Sequence, residues 1–172
     1  MLLSELVRAS AELAATRSRK AKIALLAELL RAAEIAELPT VIAYLTGQTA
    51  QDRLGAGWRT LAALGAGAAA GPVASVLEVD AALTAAAGVA AGTGSSTRRQ
   101  EVLRALFERL TKDEQQFLFR LVTGELRQGA LEGVMVDAIA AAAEVPAEDV
   151  RRAFMLSGKL GVTGVAAMTG GQ

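Results

Sequence analysis

The 172-residue sequence has no histidine and no cysteine. Without cysteine there is no disulfide framework, no thiolate metal site and no cysteine nucleophile. Without histidine there is no Ser-His-Asp triad, no imidazole base and no histidine-ligated zinc. Aromatic residues make up only 3%, which disfavours single-strand binding by base stacking. Net charge is also absent: 18 Lys and Arg face 18 Asp and Glu. A uniformly basic nucleic-acid binder is thereby excluded, and only unevenly placed charge leaves that class open. No run of alternating Val, Ile, Thr and aromatic residues argues for strands.

Long apolar runs are nearly absent. The longest uncharged stretch, Thr60 to Leu77, is 18 residues of mostly Ala and Gly, broken by Gly65, Gly67, Gly71 and Pro72. It reaches only the lower edge of membrane-spanning length, and is expected to form small-residue helices separated by turns. Met1 to Arg8 carries Glu5 and lacks the basic start of a signal peptide. A cytoplasmic protein with no membrane partner is expected. The length suits one domain, or two small lobes sharing a core.

What is present is helical periodicity. Leu2, Leu6, Ala9 and Leu13 predict a first amphipathic helix. Ser18 can cap a second, with Ile23, Leu26, Leu30 and Ala33 on its apolar face. Pro39 is expected to stop that helix and to open a third through Val41, Ile42 and Leu45, ending at Gly47. A further helix is expected through Leu61 and Leu64, and another from Val73 to Thr84. Gly92-Thr93-Gly94-Ser95-Ser96 has the composition of a flexible joint. It would divide an all-α domain into lobes 1–92 and 98–172.

In the second half, Leu103, Leu106, Phe107 and Leu110 form one stripe. Thr111-Lys112-Asp113-Glu114 is a capping box ahead of a helix burying Phe117, Leu118, Leu121 and Val122, with Gly124 as a left-handed end. Leu131, Val134, Met135, Ala138, Ile139 and Ala142 predict the next helix. Pro146 opens a last one through Val150, Ala153 and Phe154, closed by Gly158.

No catalytic constellation emerges. Glu28, Glu34 and Glu37 are expected on the outer side of the second helix. Glu125 and Glu132 flank a glycine-rich turn, but their separation is a poor basis for acid/base work. Gly124 to Gly129 fits neither a Walker nor a Rossmann pattern, because no strand precedes it. Lys20, Lys22, Lys112 and Lys159 lie in no nucleotide-binding motif. The chain by itself is expected to be non-catalytic, with no metal or cofactor of its own.

The basic residues are grouped. Arg17, Arg19, Lys20 and Lys22 follow one another with no intervening acid; Arg98 and Arg99 follow the Gly/Ser joint. Arg127 lies between Gly124 and Gly129, while Arg53 and Arg59 flank Gly55 and Gly57. Glycine beside arginine lets a backbone N–H approach a phosphate while the guanidinium supplies a charge-assisted bond. Plainer readings stand beside this one. Gly124 and Gly129 equally suit a helix stop and a tight turn, Arg98 and Arg99 a solvated surface, the 17–22 cluster a helix start, and Trp58 a core anchor. Nothing has the spacing of a base-reading recognition helix.

Phe117-Leu118-Phe119-Arg120-Leu121-Val122-Thr123-Gly124-Glu125-Leu126-Arg127-Gln128-Gly129 resembles the signature of the N-terminal DNA-binding domain of ATP-dependent DNA ligases, and Ala130 to Ala140 continues the likeness in its bacterial form. Three further segments agree in order: Thr16-Arg17-Ser18-Arg19 with Lys22; Tyr44-Leu45-Thr46-Gly47 followed by Leu54-Gly55-Ala56-Gly57-Trp58; and Arg151 to Gly161. The late turn has Lys159 where the family commonly has an acidic residue.

This resemblance implies an all-helical domain lying on the minor groove and gripping the sugar-phosphate backbone around a nick, in DNA repair, replication and recombination. It implies contacts from Thr123, Gly124, Arg127 and Gly129 and from Gly55 and Gly57, with Arg17, Ser18, Arg19 and Lys22 as additions; Arg98 and Arg99 join them on charge. Adenylation would belong to following catalytic domains that use ATP and Mg2+, since the Lys-x-Asp-Gly motif does not occur here. The expected partners are nicked double-stranded DNA and those domains, with the protein a monomer at the nucleoid. The other class kept open is a helical protein-interaction or scaffold module; an independent enzyme is the weakest reading.

Overall fold

The computed structural model describes residues 1–49, 51, 58–90, 92–126 and 130–170, with the side chains of residues 58, 59 and 130 left aside. Among them are ten helices and no strand. These are α1 (Leu3–Ala15), α2 (Arg19–Ala32), α3 (Leu38–Leu45), α4 (Trp58–Ala62), α5 (Val76–Ala87), α6 (Ser95–Glu108), α7 (Lys112–Val122), α8 (Ala130–Ala143), α9 (Ala147–Ser157) and α10 (Leu160–Met168). The all-α architecture follows the 3.6-residue apolar period.

Several boundaries sit where local chemistry sets them. The Ser18 hydroxyl accepts from the Ala21 N–H at 3.2 Å and starts α2. Thr111 and Glu114 exchange their side-chain and backbone bonds and start α7. The N–H of Gly124 (φ +82°) bonds to Leu121 C=O, and that of Glu125 to Arg120 C=O, which is the Schellman pattern ending α7. Gly158 (φ +68°) ends α9.

Other expectations are corrected. Leu3, not Leu2, heads the buried stripe of α1; Leu2 is exposed and forms an isolated antiparallel bridge with Ser75. Pro39 does not stop α2, which ends at Ala32, but it does lie in the first turn of α3. Residues 63–74 form no helix. Their glycines weaken helix propensity, and a strap results. Its carbonyls at Leu64 and Gly67 accept from Arg104 Nε (2.9 Å) and Gln115 Nε2 (3.1 Å), and Ala69 N–H bonds to Leu110 C=O. The next helix starts at Val76 because Ser75 caps it through Glu78 N–H, not at Val73. No helix among the described residues is long and apolar enough to cross a membrane.

Glu37 is not on an outer face. Residues 35–37 form a turn, not a continuation of α2, so the helical projection fails there. The Glu37 carboxylate is buried, accepting from the Met1 ammonium and from the Glu34 N–H. Each partner's charge shifts the other: the ammonium holds the carboxyl below its ordinary range, and the carboxylate raises the amine.

The Gly/Ser stretch does not separate two lobes in the packing. Ser95 and Ser96 already belong to α6, and Gly94 (φ +79°) is its N-cap. The three most extensive helix pairs are α2 with α8, α3 with α10 and α5 with α6, and all three join opposite sides of that stretch. A single core cluster contains Leu26, Leu30 and Ile42 together with Leu118, Met135 and Ile139. Helix α8 is its centre, with Val134, Met135, Val136, Ala138, Ile139 and Ala140 all buried. Six buried residues within seven cover most of the helix circumference, as expected for a helix surrounded by others.

Helix α10 was not expected after Gly158. It holds Gly161 and Gly164, which lower helix propensity but allow close approach. A Cβ on Gly164 would lie 2.4 Å from Ile42 Cδ1, and one on Gly161 would lie 3.2 Å from Pro39 Cα. The absence of side chains is what seats α10 against α3.

Candidate functional site

The segment joining α1 to α2 is tightly turned. Thr16 Oγ1 accepts from Ser18 N–H at 3.2 Å, and the Ser18 hydroxyl is spent on the α2 cap. Arg17, Arg19 and Lys20 are exposed, and Lys22 is half-buried. Arg19 lies across α8: its Nη2 donates to Asp137 Oδ2 at 2.6 Å. Arg151 of α9 reaches the other oxygen of the same carboxylate, Nη2 to Oδ1 at 3.9 Å. The Arg19 guanidinium lies over Gly133, one turn before Asp137: an added Cβ there would stand in ordinary contact with Nη2 at 3.9 Å.

Lys22 lines a cleft of about 920 Å3 that also has walls from α1, α3 and α7. Arg8 and Arg120 line it as well, opposed by Asp113 and Glu114. Leu126 and Leu131, at either end of the glycine-bracketed turn, border the same cleft. Lys22, Arg8 and Arg120 thus share one cleft, while Arg19 and Arg151 meet on Asp137 of α8. Arg8, Arg120 and Arg151 enter these two groupings without having been named as candidate contacts from the sequence. Arg120 and Arg151 were legible within the family-like segments; Arg8 carries no local signal, because only tertiary packing brings it in.

Within the turn, Thr123 Oγ1 donates to Phe119 C=O at 2.8 Å. Gly124 serves as a helix stop, the plainer of its two readings, and that geometry also aims the chain into the turn. Arg120 and Glu125 pair at 3.8 Å across its base, both half-exposed. Arg127 and Gly129 lie outside the described residues, as do Gly55 and Gly57. The chain entering the Gly55–Gly57 segment is anchored at Gln51, whose Nε2 donates to Thr84 Oγ1 at 2.8 Å and to Asp80 Oδ1 at 3.3 Å. Tyr44 OH donates to the same Asp80 oxygen. Burial, with the Asp80 charge, raises the Tyr44 phenol well above its ordinary range, so it stays a neutral donor.

Arg98 and Arg99 stand elsewhere, at the start of α6. Arg99 donates to Ala86 C=O (Nε, 3.4 Å) and Val89 C=O (Nη2, 3.3 Å), closing the C-terminal end of α5. Arg98 is exposed, with its guanidinium beside Gly94. Among the described residues, no hydrogen bond or ion pair links these two arginines to the α2–α8 group. Lys159 is exposed; its backbone N–H bonds to Ser157 Oγ and its C=O accepts from Thr163 Oγ1. No group of three or more metal-ligating side chains stands together among the described residues.

Residues 66–140 match a sequence family described as DNA ligase N terminus. Over 171 residues the chain is 54% identical to a probable DNA ligase of Rhodococcus jostii (strain RHA1) and 55% identical to one of Rhodococcus opacus (strain B4). In both cases 99% of this chain and 34% of the relative is covered. A probable DNA ligase of Nocardia farcinica (strain IFM 10152) is 53% identical over 171 residues, covering 99% of this chain and 32% of the relative. The chain spans about a third of the length of these relatives.

Proposed function

This chain belongs to the DNA ligase N-terminus family, and from that premise we propose that it grips nicked duplex DNA independently of sequence for an ATP-dependent ligase. The observation that carries this reading is two cationic groupings: Arg8, Lys22 and Arg120 line one cleft with Leu126 and Leu131, and Arg19 and Arg151 meet on Asp137 of α8. Guanidinium and ammonium groups neutralise phosphates, and exposed backbone N–H groups at a helix start add donors without base specificity. Arg127 would contact a phosphate directly. The minor groove would lie along the track, with Gly55 and Gly57 as a second point of backbone approach.

In this reading the chain does no bond-making. Adenylation and joining belong to catalytic domains in the remaining two-thirds of the ligase, which use ATP and Mg2+. Holding the duplex raises the effective concentration of the nick at those domains. The chain acts as a monomer at the bacterial nucleoid.

Binding is expected to weaken steeply with salt, because each phosphate contact releases counterions. Anisotropy titration of a nicked duplex at two salt concentrations tests it; salt-independent binding, or none at low salt, rejects it. Arg127→Ala is expected to weaken binding to all duplex sequences by about 1–3 kcal/mol, the scale of a lost charge-assisted contact. Equal affinity of mutant and parent would reject that contact.

A protein-interaction role is favoured by one other observation: Met155, Leu156 and Val162 are 80%, 84% and 55% exposed at the α9–α10 corner. Exposed apolar groups of this kind mark contact surfaces when contiguous. Met155→Ser with Leu156→Ser separates the two readings, because it leaves DNA affinity intact if the basic track alone binds DNA.

A further inference from the structure

Among the described residues, the Asp137 carboxylate is the one acid beside α8 that is paired with two cations at once. Arg19 comes from α2 and Arg151 from α9, each engaging a different oxygen. Both guanidiniums remain more than half exposed (60% and 57% by side chain), whereas Asp137 is 23% exposed. The acid is thus withdrawn and the cations stand forward. A guanidinium has five donors in a planar fork, so one bond to Asp137 leaves the others for a second anion.

We propose that Asp137 is a positioning residue, holding Arg19 and Arg151 so that both meet neighbouring phosphates, and that Arg151 is a DNA-backbone contact. This deepens the duplex-binding reading and rests on it. The physical reason is pre-organisation. Long arginine side chains lose rotamer freedom on binding; the hydrogen bond to Asp137 restrains Arg19 beforehand and the looser ion pair at 3.9 Å draws Arg151 toward the same carboxylate, which removes part of that cost. The countervailing term is repulsion between Asp137 and phosphate, which is neutralised by its two partners and screened over about 8 Å at physiological salt. The positioning role requires pre-organisation to outweigh it.

The two terms give opposite signs, which makes the test decisive. Nicked-duplex affinity of the chain is measured by anisotropy across a salt series, with thermal melts run in parallel. Arg151→Ala should weaken binding roughly three- to tenfold and reduce the slope of log K against log salt by about one. Arg151→Lys should keep most of the slope. Asp137→Asn should weaken binding about threefold although it removes a negative charge, and Asp137→Glu should recover part of the loss. Tighter binding by Asp137→Asn overturns the positioning role. Parental affinity and slope in Arg151→Ala overturn the contact, while the duplex-binding reading stands on its salt dependence. If the parent chain does not bind DNA at low salt, both fall. If Asp137→Asn melts below the assay temperature, Asp137→Ser at a lower temperature tests the positioning role in its place, with tighter binding overturning it, and the Arg151 variants decide the contact.

Discussion

Two basic pairs that look alike in sequence are put to different work. Arg17 and Arg19 flank Ser18, and Arg98 and Arg99 follow Ser95, Ser96 and Thr97; each pair is at or near a helix start. At α2, Arg19 reaches across to α8 and shares a half-hidden carboxylate with Arg151. At α6, Arg99 turns back to donate to the carbonyls of Ala86, in the last turn of α5, and of Val89 just beyond it. A helix C-terminus attracts cations because its last C=O groups are orphaned and partially negative. A cation consumed there supports the fold, whereas one braced by a recessed acid stays available. Which fate an arginine meets depends on what the tertiary packing sets opposite it.

The comparison breaks first at its largest effect. Replacing Arg17, Arg19 and Lys22 together by Ala should reduce nicked-duplex affinity by about 100-fold near physiological salt and flatten the salt slope by up to three. A triple variant with parental slope would show that the α2 start is an ordinary solvated face. The α6 pair should behave in the opposite way. Arg99→Ala should cost about 1 kcal/mol of stability through the lost α5 cap, with little change in DNA affinity. Chemical denaturation and anisotropy on one preparation check both halves of that statement, and a large affinity loss at unchanged stability would erase the contrast.

A smaller effect sharpens the comparison by supplying a charge pair far from both. Glu37 and the Met1 ammonium stabilise each other out of water. The lowered carboxyl means this contribution is present above its ordinary 4.5 and lost as pH falls through the depressed value. The raised amine means it is present below 8.0 and lost as pH rises through the elevated value. Stability measured against pH should therefore show a plateau between these limits. Glu37→Gln should flatten both shoulders while leaving the salt dependence of DNA binding alone.

Local chemistry was legible in the sequence, and long-range chemistry was not. The Ser18 cap, the Thr111–Glu114 box and the glycine ends at 124 and 158 involve groups within a few residues of each other, so spacing sufficed. The apolar stripes of α2, α3, α6 and α8 were legible for the same reason. Glu37 was misplaced because a turn interrupted the helical projection on which its outward position depended. Helix α10 was missed because Gly161 and Gly164 oppose helix in isolation, and their purpose appears only with Pro39 and Ile42 opposite them. The 63–74 strap was expected to be helical because alanine dominates it, yet side-chain donors from α6 and α7 take its carbonyls instead. Of the candidate contacts, the grouping of Arg17 to Lys22 was visible, but its meeting with Arg8, Arg120 and Arg151 required the fold.

The pairing of α2 with α8 and of α3 with α10 has a consequence for how the chain is made. These contacts join residues separated by about a hundred positions, so each closes a long loop before any burial repays it. A nascent chain that has reached the Gly/Ser stretch still exposes Leu26, Leu30 and Ile42, whose coverings lie beyond residue 130. The first half therefore emerges before α8 and α10, which pack on its α2 and α3.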